Sequence, residues 1–216
     1  DYGRYVHHHF AACCSSHRMG VPMIERLELL KALAAVRTDE IVVTTMTSTL
    51  QWPLVSSSDL DFDFLAFGMG HASDFGMGLA LARPERRTIV LKGDGGLLMS
   101  LGSLVTLAEH GPENLVVILL ENRAYEMTGG QELPSRVDFA GLALSAGIDG
   151  GGVDGKGSVT TWETLDDATA DFERVLTFPG PHFIVVPVTN SEPLPPVKHT
   201  DHRSRVTRLR AGLGIG

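Results

Sequence analysis

Two kinds of apolar spacing run through the chain. From Met23 the apolar residues Ile24, Leu27, Leu30, Leu33 and Ala34 recur every three or four positions, which predicts one face of a helix ending near Val36. "EIVVTT" (40–45), "TIVLK" (88–92), "NLVVILLEN" (114–122) and "HFIVVPV" (182–188) are unbroken apolar runs of strand length instead. The stretch "HASDFGMGLALARPERR" (71–87) predicts a helix that Pro84 ends, with Gly76 and Gly78 allowing close backbone approach. Further helices are predicted at 97–110, closed by Gly111-Pro112, and near 137–146 and 162–175. A strand that is apolar throughout is buried on both faces, and such strands alternating with helices build a parallel sheet covered on each side. The predicted fold class is therefore α/β: an open, mostly parallel sheet with helices on both faces.

Outside these elements the patterning fades. Residues 1–20 have neither helical nor strand period and do not begin with Met, so an N-terminal extension or processed start is expected there. It holds His7, His8, His9 and His17 with Cys13 and Cys14, in spacings that match no familiar zinc pattern, and reads as a surface arm. One domain is expected over 21–190, and 191–216 reads as a basic, aperiodic C-terminal tail. "GIDGGGVDGKGSV" (147–159) reads as a flexible loop.

Composition removes several function classes. With 216 residues and 43% hydrophobic content the chain can bury one sizeable core. A net charge of -8, from 18 Lys+Arg against 26 Asp+Glu, argues against a nucleic-acid surface. The only two cysteines are adjacent, so no disulfide can join distant segments of the chain, and no apolar run reaches membrane-spanning length. A cytoplasmic protein without membrane or nucleic-acid partners is expected.

Ligands of open parallel sheets bind beyond the carboxyl ends of the strands, where this chain carries Gly93-Asp94-Gly95-Gly96 and, 28 positions after the Asp, Asn122. Glycines and helix-start amides suit a phosphate, which Asp94 alone would repel. A divalent cation between carboxylate and phosphate removes that conflict, and Mg²⁺ commonly takes one or two protein carboxylates plus phosphate oxygens. Asn122 would supply a second side-chain oxygen. Taken singly, Gly-Asp-Gly is a common turn and Asn a common loop residue.

Taken together, "GDGG", a helix, a strand and "N" resemble the diphosphate-binding motif of thiamine diphosphate (ThDP)-dependent enzymes, and the resemblance extends over about residues 24–148. "FGMGHASDFGMGLAL" (67–81) is similar to the family's Gly-hydrophobic-Gly turn and helix, and "NRAYEMTGGQ" (122–131) to its loop after the metal-binding Asn. The "MGHAS" and "TGGQ" strings look most like the phosphonopyruvate and sulfopyruvate decarboxylases. The resemblance implies that Asp94, the Asn122 side chain and the Ala124 carbonyl bind Mg²⁺, and that Gly93, Gly95 and Gly96 hold the diphosphate. It implies that Met69 bends the cofactor and that a carbonyl of Phe67 or Gly68 meets the aminopyrimidine. His71 becomes a candidate to face substrate. Tyr125, Glu126, Met127 and Thr128 lie in the loop over the cofactor. The bland alternative for Met69 is core packing.

The family's catalytic Glu lies in a second, pyrimidine-binding module for which this chain has neither length nor pattern. The resemblance therefore implies a diphosphate-binding subunit that works with a separate α subunit in a hetero-oligomer such as α2β2, acting on a small 2-oxo acid. One departure bears on substrate: the related decarboxylases carry a Thr-Gly turn and Ser-Arg-Glu after the first strand, whereas this chain has "TTMTSTLQW" (44–52). A decarboxylase and a carboligase are both compatible, and a non-catalytic regulatory partner is a further alternative. A nicotinamide-binding fingerprint is not, because "GDGGLLMSLG" has the wrong glycine spacing.

Overall fold

The computed structural model describes residues 23–64, 68–133, 137–148, 157–189 and 201–215. The N-terminal arm with its histidines and cysteines, Phe67, and most of the glycine-dense loop lie outside these residues. In chain order the elements begin with β1 (Ile24–Glu25), α1 (Arg26–Val36), β2 (Ile41–Thr44), α2 (Thr47–Gln51) and β3 (Asp61–Asp63). They continue with α3 (Ala72–Ala82), β4 (Thr88–Gly93), α4 (Asp94–Met99), α5 (Ser103–His110), β5 (Leu115–Glu121), β6 (Ala124–Tyr125) and β7 (Gln131–Glu132). The last are α6 (Phe139–Ser145), β8 (Ser158–Thr161), α7 (Leu165–Thr177), β9 (His182–Thr189) and α8 (His202–Gly212).

The main sheet has seven strands in the order β1-β9-β5-β4-β2-β3, with β8 also on β9, and every pairing is parallel. The apolar runs supply both of its faces. Ile41, Val43, Val90, Val117, Leu119, Phe183 and Val185 point to a core closed by α3, α5, α6 and α8. Val42, Ile89, Leu91, Val116, Ile118, Leu120, Ile184 and Val186 point the other way, to a core closed by α1 and α7. The doubly covered α/β sheet expected from the patterning is the one observed.

After β2 the chain passes outward to β3, and after β4 it passes to β5 on the opposite side. The strand order thus reverses between β2 and β4, the position where open α/β sheets leave a crevice at the carboxyl ends. The β4/β5 register ends with Gly93 opposite Leu120, so Asp94 leaves β4 level with Glu121, one residue before Asn122.

The structure corrects several expectations. The helix expected at 97–110 is two helices, α4 beginning at Asp94 and α5 at Ser103, because the Ser100 hydroxyl turns to the Gly70 carbonyl and the backbone leaves helical geometry there. The "aperiodic" tail contains α8, whose Leu209 joins the core with Leu213 just past its end, while Arg205 Nη1 donates to the Asp63 carbonyl at 3.1 Å. Short β1, β3, β8 and α2 were not anticipated. On α1 the buried face is Arg26, Leu29, Leu30 and Leu33, with Leu27 at its edge. Gly76 does lie tight on the sheet, since a Cβ there would stand 2.3 Å from Val90 Cγ2, but Gly78 faces open space.

Candidate active site at the carboxyl ends of the central strands

Four segments converge on a cleft of about 530 Å³, its open mouth included. The end of β2 brings Thr45 and Met46, and the first turn of α2 brings Thr47 and Ser48. The β4–α4 junction brings Gly93, Asp94, Gly95, Gly96 and Met99. The end of β5 and the loop after it bring Leu120, Asn122, Ala124, Tyr125, Glu126, Met127 and Thr128, and Arg26 enters from the start of α1. Most of the sequence-predicted site residues are therefore assembled in one place.

Asp94 is 1% exposed. Its Oδ1 accepts the Gly95 N–H at 2.8 Å and its Oδ2 accepts the Arg123 N–H at 2.7 Å. Burial pushes its pKa up to about 7, against the downward pull of the Arg123 and Gly95 N–H groups, and Glu121 nearby adds to the rise. Among the described residues no lysine or arginine forms an ion pair with it. A buried carboxylate without a counter-charge is a place that a cation stabilises. Asn122 and Ala124 line the same cleft, and a carboxamide and a main-chain carbonyl belong to the hard oxygen set that suits Mg²⁺. No cluster of three His, Cys, Asp or Glu occurs among the described residues, so a softer, nitrogen- or sulfur-based metal centre has no support there. The donors present fit Mg²⁺.

Backbone geometry aims these groups. The non-glycine residues with positive φ among those described are Met46 (φ 53), Met69 (φ 31) and Arg123 (φ 62); Met46 lines this cleft, and Met69 and Arg123 hydrogen-bond to the lining residues Thr45 and Asp94. Such backbone costs of order 1–3 kcal/mol per residue and persists where surrounding structure imposes it. At Arg123 the left-handed turn points the N–H at Asp94 and reverses the chain into the β6/β7 ribbon. Gly95 is needed for a reason other than anion approach: a Cβ there would stand 2.7 Å from the Tyr125 ring. Gly93 has nothing within 4 Å in that direction. Thr128 is exposed and bonds within its own loop, to Tyr125 O at 3.3 Å.

Three predicted residues do not line the cleft. Gly68 lies beneath the Phe64 ring, which stands where a Cβ would be. Met69 is 49% exposed, so it is not core, and its carbonyl accepts the Thr45 hydroxyl at 3.3 Å. His71 is exposed, and its Nδ1 meets Asp74 Oδ2 at 2.7 Å on the helix it begins. Phe67 is outside the described residues.

Sequence reasoning missed several groups. Thr45, Thr47 and Ser48 give the cleft hydroxyls, and their signal was the hydroxyl-rich string after an apolar strand. Lys92 is fully buried, and its Nζ donates to the Gly70 carbonyl at 2.5 Å, to Ser73 Oγ at 2.8 Å and to Ser100 Oγ at 3.3 Å, tying the Met69 turn to β4. Burial pushes its pKa down to about 8. Arg26 is also buried, with Nη1 2.8 Å from Glu126 Oε2 and its Nε without a partner among the described residues. Its signal was positional: an arginine at helical spacing from Leu29, Leu30 and Leu33 stands on the buried face.

Residues 46–186 match the family model for the thiamine pyrophosphate enzyme C-terminal TPP binding domain. The chain is 37% identical over 189 residues to the sulfopyruvate decarboxylase subunit beta of Methanothermobacter thermautotrophicus, covering 87% of this chain and 94% of that one. It is 36% identical to the phosphonopyruvate decarboxylase of Streptomyces hygroscopicus, covering 86% of this chain but only 43% of that longer protein. The benzoylformate decarboxylase of Polynucleobacter necessarius superposes with a TM-score of 0.63 at 23% identity, over 80% of this chain and 34% of that one, a likeness of fold.

Proposed function

Because this chain belongs to the thiamine pyrophosphate enzymes, through their C-terminal TPP-binding domain, we propose that it is the diphosphate-binding subunit of a split, Mg²⁺-dependent 2-oxo acid decarboxylase. The observation that carries the reading is Asp94: a carboxylate 1% exposed, its pKa raised to about 7, in an open cleft that Asn122 also lines, with no side-chain cation paired to it among the described residues. In this reading Asp94, Asn122 Oδ1 and the Ala124 carbonyl hold Mg²⁺. Gly93, Gly96 and the hydroxyls of Thr47 and Ser48 take the diphosphate, while Gly95 donates its N–H to Asp94 and seats Tyr125. Thiamine diphosphate, when bound, supplies the electron sink for cleavage next to the 2-oxo group. Met69, held out from the core on its strained turn, supports the cofactor's bend, and Met46, Met99 and Met127 give the cleft apolar walls that limit water.

The acid against the aminopyrimidine comes from a pyrimidine-domain partner subunit. The near-complete overlap with a relative named as a beta subunit supports that division. Among the residues lining the cleft the cationic side chain is Arg26, and Glu126 already neutralises it. This supports a 2-oxo acid without a second anionic group on this chain's side, or a partner that supplies the cation. The apolar methionine walls also favour a second reading, carboligation onto an uncharged carbonyl compound. Calorimetry with Mg²⁺ and thiamine diphosphate tests the cofactor half: binding should require both and vanish in Asp94→Ala. Unchanged binding in that variant would remove the metal assignment. Product analysis on pyruvate with the reconstituted partner, aldehyde against acyloin, decides between the two reactions.

A further inference from the structure

Asparagine is an ambiguous metal ligand, because its oxygen and nitrogen ends have the same shape and only the oxygen binds a cation. Its neighbours decide which end faces where. Here Asn122 Nδ2 donates to Glu126 Oε2 at 3.1 Å while Asn122 Oδ1 accepts the Ala124 N–H at 3.2 Å. A carboxylate only accepts, so it fixes the nitrogen end. Glu126 is itself held: the same Oε2 takes Arg26 Nη1 at 2.8 Å, from a residue 100 positions away at the start of α1. The pair is buried, with side-chain exposures of 2% and 8%.

Buried ion pairs are often no better for stability than apolar residues of similar size, so burial of this one at a cleft wall calls for another role. Its charges cancel, so it places a hydrogen-bond acceptor next to the proposed diphosphate site without adding net negative charge there. We propose that the Arg26–Glu126 pair is a positioning device that locks the Asn122 carboxamide with Oδ1 toward the cation. The inference rests on the metal reading above. Groups standing behind metal ligands in this way typically govern about 10- to 100-fold in metal affinity.

Two double variants of the full chain separate positioning from packing. Arg26→Met with Glu126→Leu keeps the volume apolar and removes the acceptor. Arg26→Met with Glu126→Gln keeps an oxygen that can accept the Asn122 N–H. Mn²⁺ affinity is read by electron paramagnetic resonance in the presence of thiamine diphosphate, with thermal unfolding measured on the same samples. The Leu variant should unfold near the wild-type temperature yet bind Mn²⁺ about 10- to 100-fold more weakly, and the Gln variant should stay within a few-fold of wild type. If the folded Leu variant binds Mn²⁺ like wild type while Asp94→Ala abolishes binding, the positioning role is overturned and the metal site stands. A wild-type chain that binds no Mn²⁺ overturns both.

Discussion

At the scale of single residues, the informative feature is charge placed where solvent cannot reach it. Asp94 has its pKa raised from 3.8 to about 7, mainly by burial. An acid that is harder to ionise in the fold than in the unfolded chain favours the fold while protonated; that contribution is whole below about pH 4 and is lost as pH rises through about 7. In chelator, wild type should therefore lose stability relative to Asp94→Asn between about pH 4 and 7, by at most about 4 kcal/mol for a displacement of that size, and level off above that. Thermal unfolding across that range is the measurement, and a difference that stays flat would mean that the carboxylate is already satisfied. Met69 poses a different question. At 49% exposure its truncation to Ala should cost under about 1 kcal/mol, not the 2–5 kcal/mol of a core methionine. In the assembled enzyme the same truncation should slow proton–deuterium exchange at the thiazolium carbon on the order of a hundredfold, the usual scale for lost alignment. Normal exchange would deny Met69 its supporting role.

Elements are positioned by how closely their backbones approach. In α3 two glycines only two residues apart, and so on opposite sides of the helix, serve opposite ends. Gly76 lets the helix settle on β4, with Val90 Cγ2 2.3 Å from where a Cβ would stand, whereas Gly78 meets nothing within 4 Å. Gly76→Ala should destabilise by about 1–3 kcal/mol through overpacking. Gly78→Ala should stabilise by about 0.5–1 kcal/mol, because it adds helix propensity without a clash. Denaturant midpoints of the two variants check the pair, and equal shifts would mean that α3 does not dock through Gly76. The break between α4 and α5 belongs to the same scale: Ser100 leaves the helix to reach the Gly70 carbonyl, which Lys92 also holds, so the Met69 turn and the Asp94 turn are tied to one another.

For the molecule as a whole, strand order decides where chemistry is possible. The reversal between β2 and β4 gathers the ends of both strands and of β5 around one cleft. Among the described residues no helix is long and apolar enough to cross a membrane. Among the described residues lining the cleft, the carboxylates are Asp94, proposed above for the cation, and Glu126, engaged by Arg26. The purified chain should accordingly show no decarboxylation of pyruvate, and titration with a pyrimidine-domain subunit should restore it, saturating near equal amounts. Turnover by the chain alone would end the split-enzyme reading.

Much of this was legible along the chain. Continuous apolar runs identify β2, β4, β5 and β9 because burial on both faces leaves no room for polar alternation, and Gly-Asp-Gly-Gly and Asn122 mark the strand ends because tight turns and oxygen donors are local requirements. What only the tertiary structure decided concerns partners far apart in sequence. Arg26 meets Glu126 across 100 positions, the tail becomes a helix because Leu209 and Leu213 find the core beside β3, and Met46, Met69 and Arg123 take positive φ because neighbouring elements hold them there. Periodicity reports which face of an element is buried. Which charged group waits on the other side depends on chain crossings that no local pattern contains.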